Sequence, residues 1–431
     1  MIKNITQFSS LEIFDLLIKA ILLASPVFLM TTKGWTNGLL FLLFTLTSIG
    51  LIRSKSLIPK VFDQSQKKSV KLIIASLAAG FLAILITQGL RGELLLKAFD
   101  APLRMLLCIP IFLYLCHKPL NLVKASPYVL SLSFLATFIY LLQHPEVPAF
   151  WGGRFATKPV DPNAFGVYST LTLSLLLFSI SLNNPLNQKL RLCIATLGLA
   201  LGTYLVIGSG TRGAWLAIPF LLIAWGAINV KNNLKLTLLL SGLLLVTTWI
   251  GYSAFTNFQA RIDSGFHEIH SWLFTTAKDT SAGIRLSMWQ VTWELLQKNP
   301  FLGYGDSGYQ HLLNDQNLTG NYSPIVLETI AKAGPHNEYI ANALRSGVFG
   351  GLAIVVTLFV PFYVYLKSLS RSPGTSIKTF NSNHLGLALF VCLTISSMSV
   401  EIFNLKYTSS FYGLLIAMIY SQTIAEKSSN S

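Results

Sequence analysis

The chain has 431 residues, of which 52% are hydrophobic and only 11% are charged, and its formal net charge is +15. Because a soluble domain carries about 25% charged residues, this composition excludes an ordinary soluble protein. The long apolar runs instead predict a polytopic membrane protein, since about 20 apolar residues cross a bilayer as a helix. The lysines and arginines are dispersed, which is typical of cytoplasmic membrane loops and argues against nucleic-acid binding.

The apolar runs lack the alternation of barrel strands, so the predicted fold is an all-α polytopic membrane bundle of about twelve transmembrane helices. Basic residues concentrate in alternate short connections, such as RSKSLIPKVFDQSQKKSVK after span two, and the positive-inside rule makes these connections cytoplasmic. The predicted spans lie near residues 11–31, 36–52, 71–90, 101–116, 124–143, 163–182, 191–208, 213–229, 235–255, 339–366, 384–402 and 407–425.

These spans divide the chain into three parts. Residues 1–255 hold spans one to nine with short loops, and residues 339–431 hold spans ten to twelve with a short cytoplasmic tail. Between them, residues 256–338 form the one large hydrophilic loop, in which an amphipathic helix is predicted. The charge rule places this loop outside the cytoplasm.

One polar stretch on the outer side is GRFATKPVDPNAFG, between spans five and six. Pro162 suits the first turn of a helix, with Asp161 or Asn163 as its cap. Arg154 and Lys158 precede this turn and form a candidate basic site for a diphosphate or a sugar. A loop anchored at the membrane surface is the alternative interpretation of the same residues.

A tight outer turn, GSGTRGAWLA, joins spans seven and eight. Its glycines end one span, and Thr211 is a candidate N-cap for the next. Arg212 then stands at a helix N-terminus, where free N–H groups and the helix dipole favour anions such as phosphate. A glycine-eased turn with an arginine anchored at the interface is the alternative.

The segment SAGIRLSMWQVTWELLQK lies within the hydrophilic loop and has an amphipathic pattern. Its apolar stripe, with two tryptophans beside it, predicts a helix that lies on the membrane surface. Arg285 is near the start of this helix, where its charge opposes the dipole, so a negatively charged partner is expected. The GYGDSG that follows matches GxGxxG by spelling, but without a βαβ context it predicts a glycine turn. The stripe consists of Ile284, Met288, Val291 and Leu295.

The stretch GPHNEYIANALRSGVFG ends the hydrophilic loop and starts span ten. Gly347 and Gly350 share a helix face, which predicts tight packing against a neighbouring helix. His336 precedes that helix and suits a general base near neutral pH, although a lone histidine is also a common polar cap. Asn337 and Tyr339 beside it are candidate substrate-binding residues.

These blocks resemble a known family. HNEYIANALRSGVFG is similar to the H-[NSQ]-x9-GxxG pattern of bacterial O-antigen ligases. The GSGTRGAW turn, the GIRLSMW and NPFLGYGDSGY blocks, and the large outer loop before span ten also look like that superfamily. The resemblance covers most of the chain in layout but only four short blocks in residues.

The resemblance implies a GT-C-type glycosyltransferase that uses no metal and no cofactor. It implies transfer of an O-antigen glycan from undecaprenyl diphosphate to the lipid A-core oligosaccharide, on the periplasmic face of the inner membrane of a Gram-negative bacterium. O-antigen polymerases and protein O-oligosaccharyltransferases use the same kind of donor and are the nearest alternatives. A membrane transporter is an alternative of another class.

The expected roles follow from the chemistry of a glycosyl diphosphate. Arg212 and Arg285 stabilise the leaving diphosphate, with Arg154 as a further candidate, because guanidinium groups bind phosphate oxygens in pairs. His336 takes the proton from the acceptor hydroxyl, and a single displacement predicts inversion at the anomeric carbon. The candidate substrate-binding residues are Arg154, Lys158, Asn163, Asn337 and Tyr339.

Overall fold

The computed structural model describes residues 10–54, 62–180, 189–229, 249, 252–253, 256–275, 278–306, 316–369 and 383–426. Within these ranges the chain is helical, and one isolated bridge between Thr157 and Val160 is the only β-type pairing. The predicted all-α class is therefore confirmed for the described part of the chain.

The helices coincide with every predicted span except the ninth, near 235–255, which falls almost entirely outside the described residues. The first nine helices are α1 (Ser10–Ala24), α2 (Trp35–Ser54), α3 (Gln64–Arg91), α4 (Asp100–His117), α5 (Leu122–Gln143), α6 (Glu146–Phe150), α7 (Pro162–Ser179), α8 (Lys189–Gly208) and α9 (Arg212–Asn229). They are followed by α10 (Thr256–Phe274), α11 (Ser281–Lys298), α12 (Gln316–Asn321), α13 (Pro324–Ala333), α14 (Glu338–Leu369), α15 (Asn383–Ser396) and α16 (Lys406–Glu426).

Six helical segments in the described ranges are long and apolar enough to cross a membrane. They are α2, α3, the Leu96–His117 segment that contains α4, α5, α8 and α14, while α9 and α15 are apolar but shorter. The chain is thus a multi-pass membrane protein. The full count of twelve spans and the GT-C arrangement remain predictions.

The main core lies where α16 packs on α4, α14 on α3, α5 on α8 and α7 on α15. Small residues at these crossings let the backbones approach closely, as helix packing in lipid requires. A Cβ at Gly198 would lie 2.1 Å from Ser131 Oγ, and one at Gly413 would lie 2.5 Å from Cys108 Sγ. Larger side chains at either glycine would therefore force the paired helices apart.

A second, smaller core lies between α11, α13 and the first turns of α14. The side chains of Met288, Val291 and Leu295 are buried there against Leu327 and Ile330 of α13. The helix predicted over this segment is confirmed. The prediction that its apolar stripe faces the membrane surface is wrong, because the stripe is buried against protein instead.

The long helix α14 contains a break. Ser346 (φ −130°, ψ 21°) and Gly347 (φ 56°, ψ −145°) leave helical geometry. The prediction that Gly347 and Gly350 share one packing face is wrong, since the helix does not continue through Gly347. A Cβ at Gly347 would lie 2.2 Å from the carbonyl oxygen of Phe301, so glycine is required by this close approach as well as by its positive φ.

The backbone groups freed by this break are satisfied by residues 300–305. The glycine turn predicted for GYGDSG is confirmed over its described part, since Gly303 and Gly305 both have positive φ. The inter-segment bonds run from Tyr304 N to Leu344 O (2.8 Å), from Gly305 N to Arg345 O (2.9 Å) and from Val348 N to Pro300 O (2.9 Å). The turn therefore fixes the first two turns of α14 relative to its long apolar part.

Candidate active site

Two polar turns that are far apart in the sequence meet around Arg154. Asp161 caps α7, as predicted, by accepting the N–H of Asn163 at 2.9 Å. The Arg154 guanidinium donates from Nε to Ser209 O (2.9 Å), and from Nη2 to Asn163 Oδ1 (3.0 Å) and Thr211 Oγ1 (3.1 Å). The acceptors are all uncharged, so they orient the guanidinium without neutralising it.

Arg212 is the first residue of α9, as predicted, and it meets a carboxylate from α10. Its Nη1 and Nη2 atoms each lie 3.2 Å from Glu268 Oε1, and Nη2 lies 3.0 Å from Oε2. Glu268 Oε2 also accepts the N–H of Ala282 in the first turn of α11 at 2.7 Å. One carboxylate therefore joins the N-terminal ends of α9 and α11, where the helix dipoles favour negative charge.

Two more guanidiniums are half-buried in the same region. Arg285 lies on α11 and Arg261 on α10, and neither forms an ion pair with any residue that the structure describes. Burial lowers the pKa of Arg285, and the charge of Arg212 lowers it further, whereas Glu268 raises it. Within the described residues, the negative charge of Glu268 therefore acts on Arg285 from a distance, without the direct ion pair that the position of Arg285 favours.

We call Arg154, Arg212, Arg261 and Arg285 the arginine cluster. The pKa of Arg154 falls to about 10, first because of burial and then because of the charge on Arg261, with smaller contributions from Arg285 and Arg212. Arg154 remains cationic at neutral pH, since a pKa near 10 lies well above 7. Among the described residues, Asp161 raises the pKa of Arg154 and Glu268 that of Arg285, but in both cases the combined effect of burial and neighbouring guanidiniums is larger. An excess of mutually repelling cations favours a bound anion.

His336 lies directly before α14 in a constrained backbone conformation. Its φ of 51° is in the left-handed region, which a residue other than glycine rarely adopts. Its N–H donates to Glu401 Oε1 at 3.1 Å, and the carbonyl of the preceding Pro335 accepts Trp289 Nε1–H at 3.0 Å. Contacts from α11 and from the segment after α15 therefore hold the histidine backbone on both sides.

The imidazole of His336 shares the electrostatic environment of the arginine cluster. Burial lowers its pKa, the charge of Arg285 lowers it further, and Asp161 opposes the effect. The ring is half-buried, and its nitrogens make no hydrogen bond within the described residues. A neutral imidazole with a free lone pair is the form that a general base requires.

Asn337 and Tyr339 have structural contacts that account for their positions. Asn337 Oδ1 accepts the N–H groups of Tyr339 (3.0 Å) and Ile340 (3.2 Å) and so caps α14. Its Nδ2 donates to Met398 O at 3.1 Å, and the Tyr339 hydroxyl donates to Thr394 O at 3.0 Å. Contact with substrate remains a prediction for both residues.

Lys158 and Asn163 differ in their relation to the arginine cluster. Asn163 accepts a hydrogen bond from Arg154 and so helps to orient that guanidinium. Lys158 Nζ lies 3.3 Å from Glu146 Oε1 and 3.5 Å from His144 Nδ1, within its own surface loop. Asn163 therefore contacts the arginine cluster. Lys158 instead contacts Glu146 and His144 in its own loop.

Sequence reasoning missed Arg261 and Glu268, which both lie on α10. The segment TNFQARIDSGFHEIHSWLF holds no glycine-rich turn at either residue and matches no motif. One signal was available: the two residues are seven positions apart, so a helix places them on one face. That face carries the ion pair with Arg212, and the charge of its Arg261 lowers the pKa of Arg154.

A second set of charged groups lies beside His336, and we call it the paired network. Asp306 is its centre, with Oδ1 at 3.2 Å from Arg345 Nε and Oδ2 at 4.0 Å from Arg91 Nη2. Arg345 Nη2 also lies 3.9 Å from Glu401 Oε2, and Arg91 Nε lies 3.2 Å from Glu93 Oε2. Glu401 thus connects this network to the backbone of His336.

The fold and the site together define a class: a multi-pass helical membrane protein with an arginine-rich anion site next to a neutral histidine. Comparison with known proteins narrows this class. The family model described as O-antigen ligase matches residues 197–355, a range that includes Arg212, Arg261, Arg285 and His336. The match supports membership of the chain in the O-antigen ligase family and confirms the resemblance found in the sequence.

An uncharacterized protein of Haemophilus influenzae is similar to this chain over most of both lengths. The two are 25% identical over 339 residues, which cover 75% of this chain and 79% of the relative. The similarity therefore extends well beyond the range that the family model matches.

Proposed function

We propose that this protein is a glycosyltransferase of the O-antigen ligase type, which moves an O-antigen glycan from undecaprenyl diphosphate to the lipid A-core oligosaccharide. The observation that carries the proposal is the shared electrostatic environment of the arginine cluster and His336. A diphosphate is the anionic part of such a donor. Guanidinium groups bind phosphate oxygens through paired hydrogen bonds and keep their charge when half-buried.

The reaction needs charge stabilisation on one side of the anomeric carbon and proton removal on the other. The acceptor hydroxyl oxygen attacks that carbon while an imidazole nitrogen of His336 takes the hydroxyl proton. The bond from the carbon to the diphosphate oxygen breaks, and both of its electrons leave with the diphosphate. Arg285, Arg261 and Arg154 stabilise the charge that develops there, so a metal ion is not required for this step. The single displacement inverts the anomeric configuration.

The contribution of Arg212 differs from that of the other three guanidiniums. The Nη1 and Nη2 atoms of Arg212 already bind the Glu268 carboxylate. Arg285 and Arg261, in contrast, form no ion pair with a described residue. Arg285 and Arg261 are therefore the groups that gain most from a bound diphosphate. Arg212 fixes α10 on the site, and a donor phosphate would bind its guanidinium only in competition with Glu268.

The proposal includes the topology predicted from the charge distribution. Residues 256–338 would lie on the periplasmic side of a Gram-negative inner membrane, between spans one to nine (1–255) and spans ten to twelve (339–431). Twelve spans in a GT-C-type bundle would place the arginine cluster at the periplasmic surface, where a lipid-linked diphosphate is held by its membrane anchor. Asn163 would act by orienting Arg154, and Asn337 and Tyr339 by positioning the start of α14.

Replacement of the proposed base is the direct test. In a purified assay with a lipid-linked donor and a lipid A-core acceptor, His336→Ala should lower the transfer rate by about 10² to 10⁴-fold. His267→Ala is the matched control, since His267 is exposed on α10, and it should transfer at the normal rate. Unchanged transfer by His336→Ala at normal protein levels would remove the histidine from the mechanism.

The phenotype of a deletion strain separates ligase from polymerase. Loss of a ligase leaves bare core and accumulates lipid-linked polymer, whereas loss of a polymerase leaves core that carries single repeat units. The lipopolysaccharide ladder of the strain, with and without a His336→Ala copy of the gene, distinguishes the two. Core with single units would replace the ligase proposal by polymerase activity on the same donor.

A further inference from the structure

Helix α10 has one face that belongs to the site. Arg261, Glu268 and Trp272 recur at helical spacing on this face, with Gly265 between them. Glu268 pairs with Arg212, and Trp272 Nε1–H donates to Ser287 Oγ on α11 at 2.9 Å. A Cβ at Gly265 would lie 3.1 Å from Arg212 Nη1, so the helix passes directly over that guanidinium. These contacts fix the rotation of α10 about its axis.

The adjacent face of α10 is apolar and has no protein partner within the described residues. Phe266, Ile269 and Leu273 are spaced by three and four positions and form one stripe, with exposed fractions of 73%, 45% and 57%. Phe274 at the end of the helix is 73% exposed. A helix with one charged face, one apolar face and low overall hydrophobicity is typical of the membrane–water interface.

Two points along α10 are tied to the ends of apolar segments. The helix begins at Thr256, directly after the predicted span near 235–255, and Tyr252 Oη donates to Asp263 Oδ1 at 2.7 Å. Glu268 is tied to Arg212, the first residue of the apolar helix α9. The twelve-residue separation between Thr256 and Glu268 corresponds to roughly 18 Å along a helix axis. Because the charge distribution predicts that both apolar segments end at the outer membrane surface, a helix held at both points is expected to lie along that surface.

We propose that α10 is an interfacial helix whose Phe266–Ile269–Leu273 stripe inserts among the acyl chains of the bilayer leaflet next to the site. The occupant of the exposed face is thus the bulk membrane lipid. The insertion sets the depth of Arg261 and Glu268 on the neighbouring face at the level of lipid headgroups. Under the proposed function, that is the depth at which the diphosphate of a membrane-anchored donor lies.

Depth measurements on the full-length protein in lipid nanodiscs test the contact without any activity assay. Cys193 is exposed and is first replaced by serine, whereas the other three cysteines are buried. A nitroxide label is then attached at Phe266→Cys or at Leu273→Cys, and at His267→Cys as the matched control. His267 is exposed on a different face of the same helix. Collision with oxygen, which is enriched in lipid, is compared with collision with a water-soluble nickel chelate.

We expect labels at 266 and 273 to collide mainly with oxygen and the label at 267 mainly with the nickel chelate. Equal preference for the nickel chelate at all three positions would overturn the inference. The collision measurement does not depend on the reaction. If the labels at 266 and 273 collide mainly with the nickel chelate while His336→Ala loses transfer, only the interfacial helix is rejected. Lipid-exposed labels combined with intact transfer in His336→Ala would reject the proposed base alone.

A kinetic variant links the insertion to the site. Phe266→Ser combined with Leu273→Ser removes apolar contact but leaves Arg261 and Glu268 unchanged. We expect the KM for the lipid-linked donor to rise about tenfold, while kcat at saturating donor is retained, because donor capture and not the chemical step is affected. A fall in kcat with unchanged KM, in protein that shows normal melting, would contradict the proposed role in setting depth.

Discussion

The arginine cluster and the paired network both act on His336, the first through the charge of Arg285 and the second through Glu401, and they differ in charge balance. In the paired network Arg345 and Arg91 face Asp306, Glu401 and Glu93. In the arginine cluster only Arg212 has a carboxylate ion partner among the described residues. Among the described residues, each guanidinium of the paired network has a carboxyl group within 4.0 Å, whereas the arginine cluster holds more guanidiniums than carboxylates.

The difference indicates separate tasks for the two groups. Buried ions that are fully paired hold segments in place, and here they connect the end of α3, the turn at residues 300–306 and the start of α14. An unpaired excess of cations costs folding energy and persists where a ligand needs it. His336 is joined to both groups: its N–H bonds Glu401, and the pKa of its ring responds to Arg285.

The largest expected effect comes from removing charge from the arginine cluster. Arg285→Ala should lower kcat/KM for glycan transfer by about 10² to 10³-fold, because a group that stabilises developing negative charge is lost. Arg53→Ala, which removes an exposed arginine at the end of α2, should leave the rate unchanged. Transfer at the normal rate by purified Arg285→Ala would show that the cluster does not hold the leaving group.

The same comparison predicts opposite effects on stability. Arg345→Ala leaves the Asp306 carboxylate buried without this partner, and breaking a buried ion pair costs about 3–5 kcal/mol. Arg285→Ala removes a repelling cation, so its melting temperature should equal or exceed that of the parent protein. Thermal unfolding in one detergent measures both variants. Equal destabilisation by the two substitutions would contradict the distinction between a paired and an unpaired group.

The sequence was sufficient for the helices and for part of the site. Apolar runs marked the spans, and Pro162 and the glycine turns marked helix ends, because these signals are local. Arg212, Arg285 and His336 were selected as candidates because each stands beside a recognisable break in the chain. The approach of the four guanidiniums to one another depends on packing between distant segments, which local pattern does not determine.

The errors have the same physical origin. The sequence of α11 has the same amphipathic pattern whether its apolar stripe faces lipid or protein. Only tertiary contacts determine that the stripe is buried under α13. Gly347 fits helix packing and helix breaking equally well until the turn at residues 300–305 is placed against it. Arg261 and Glu268 gave only their shared helix face as a local signal, and a charged helix face usually meets solvent. In each of these cases the partner segment, not the residue type, supplied the answer.

The pH dependence of transfer gives a smaller but specific effect. The pKa of His336 is lowered by burial and then by Arg285, so the ring stays neutral below its ordinary value of 6.5. We expect kcat/KM of the parent protein to fall to half its maximum at a pH below 6.5. In Arg285→Gln, whose residual activity is measured, this midpoint should move to a higher pH. A parent midpoint at or above 6.5 would contradict the assignment of His336 as the base.

The lowered pKa of His336 also determines how this residue changes the stability of the protein with pH. Because the folded-state pKa is lower than the unfolded one, the unfolded chain binds more protons between the two values. This histidine therefore makes unfolding easier as the pH falls below about 6.5. His336→Gln should reduce that part of the pH dependence of the melting temperature.

The smallest effect is expected for Glu268, which forms an ion pair with one member of the arginine cluster, Arg212. Its carboxylate occupies the fork of Arg212 and so competes with a donor phosphate for the same guanidinium. Glu268→Gln keeps the shape and an acceptor for the N–H of Ala282 but removes the competing charge. We expect the KM for the lipid-linked donor to fall by about two- to fivefold, which corresponds to roughly 0.4–1 kcal/mol.

Glu328→Gln is the control for this prediction, since Glu328 is exposed on α13 and pairs only locally with Lys332. It should leave the KM unchanged. A rise in KM for Glu268→Gln would mean that Glu268 aligns Arg212 for the donor and does not compete with it. In that case the ion pair would belong with the positioning contacts of the paired network, and the excess charge of the cluster would rest on Arg154, Arg261 and Arg285 alone.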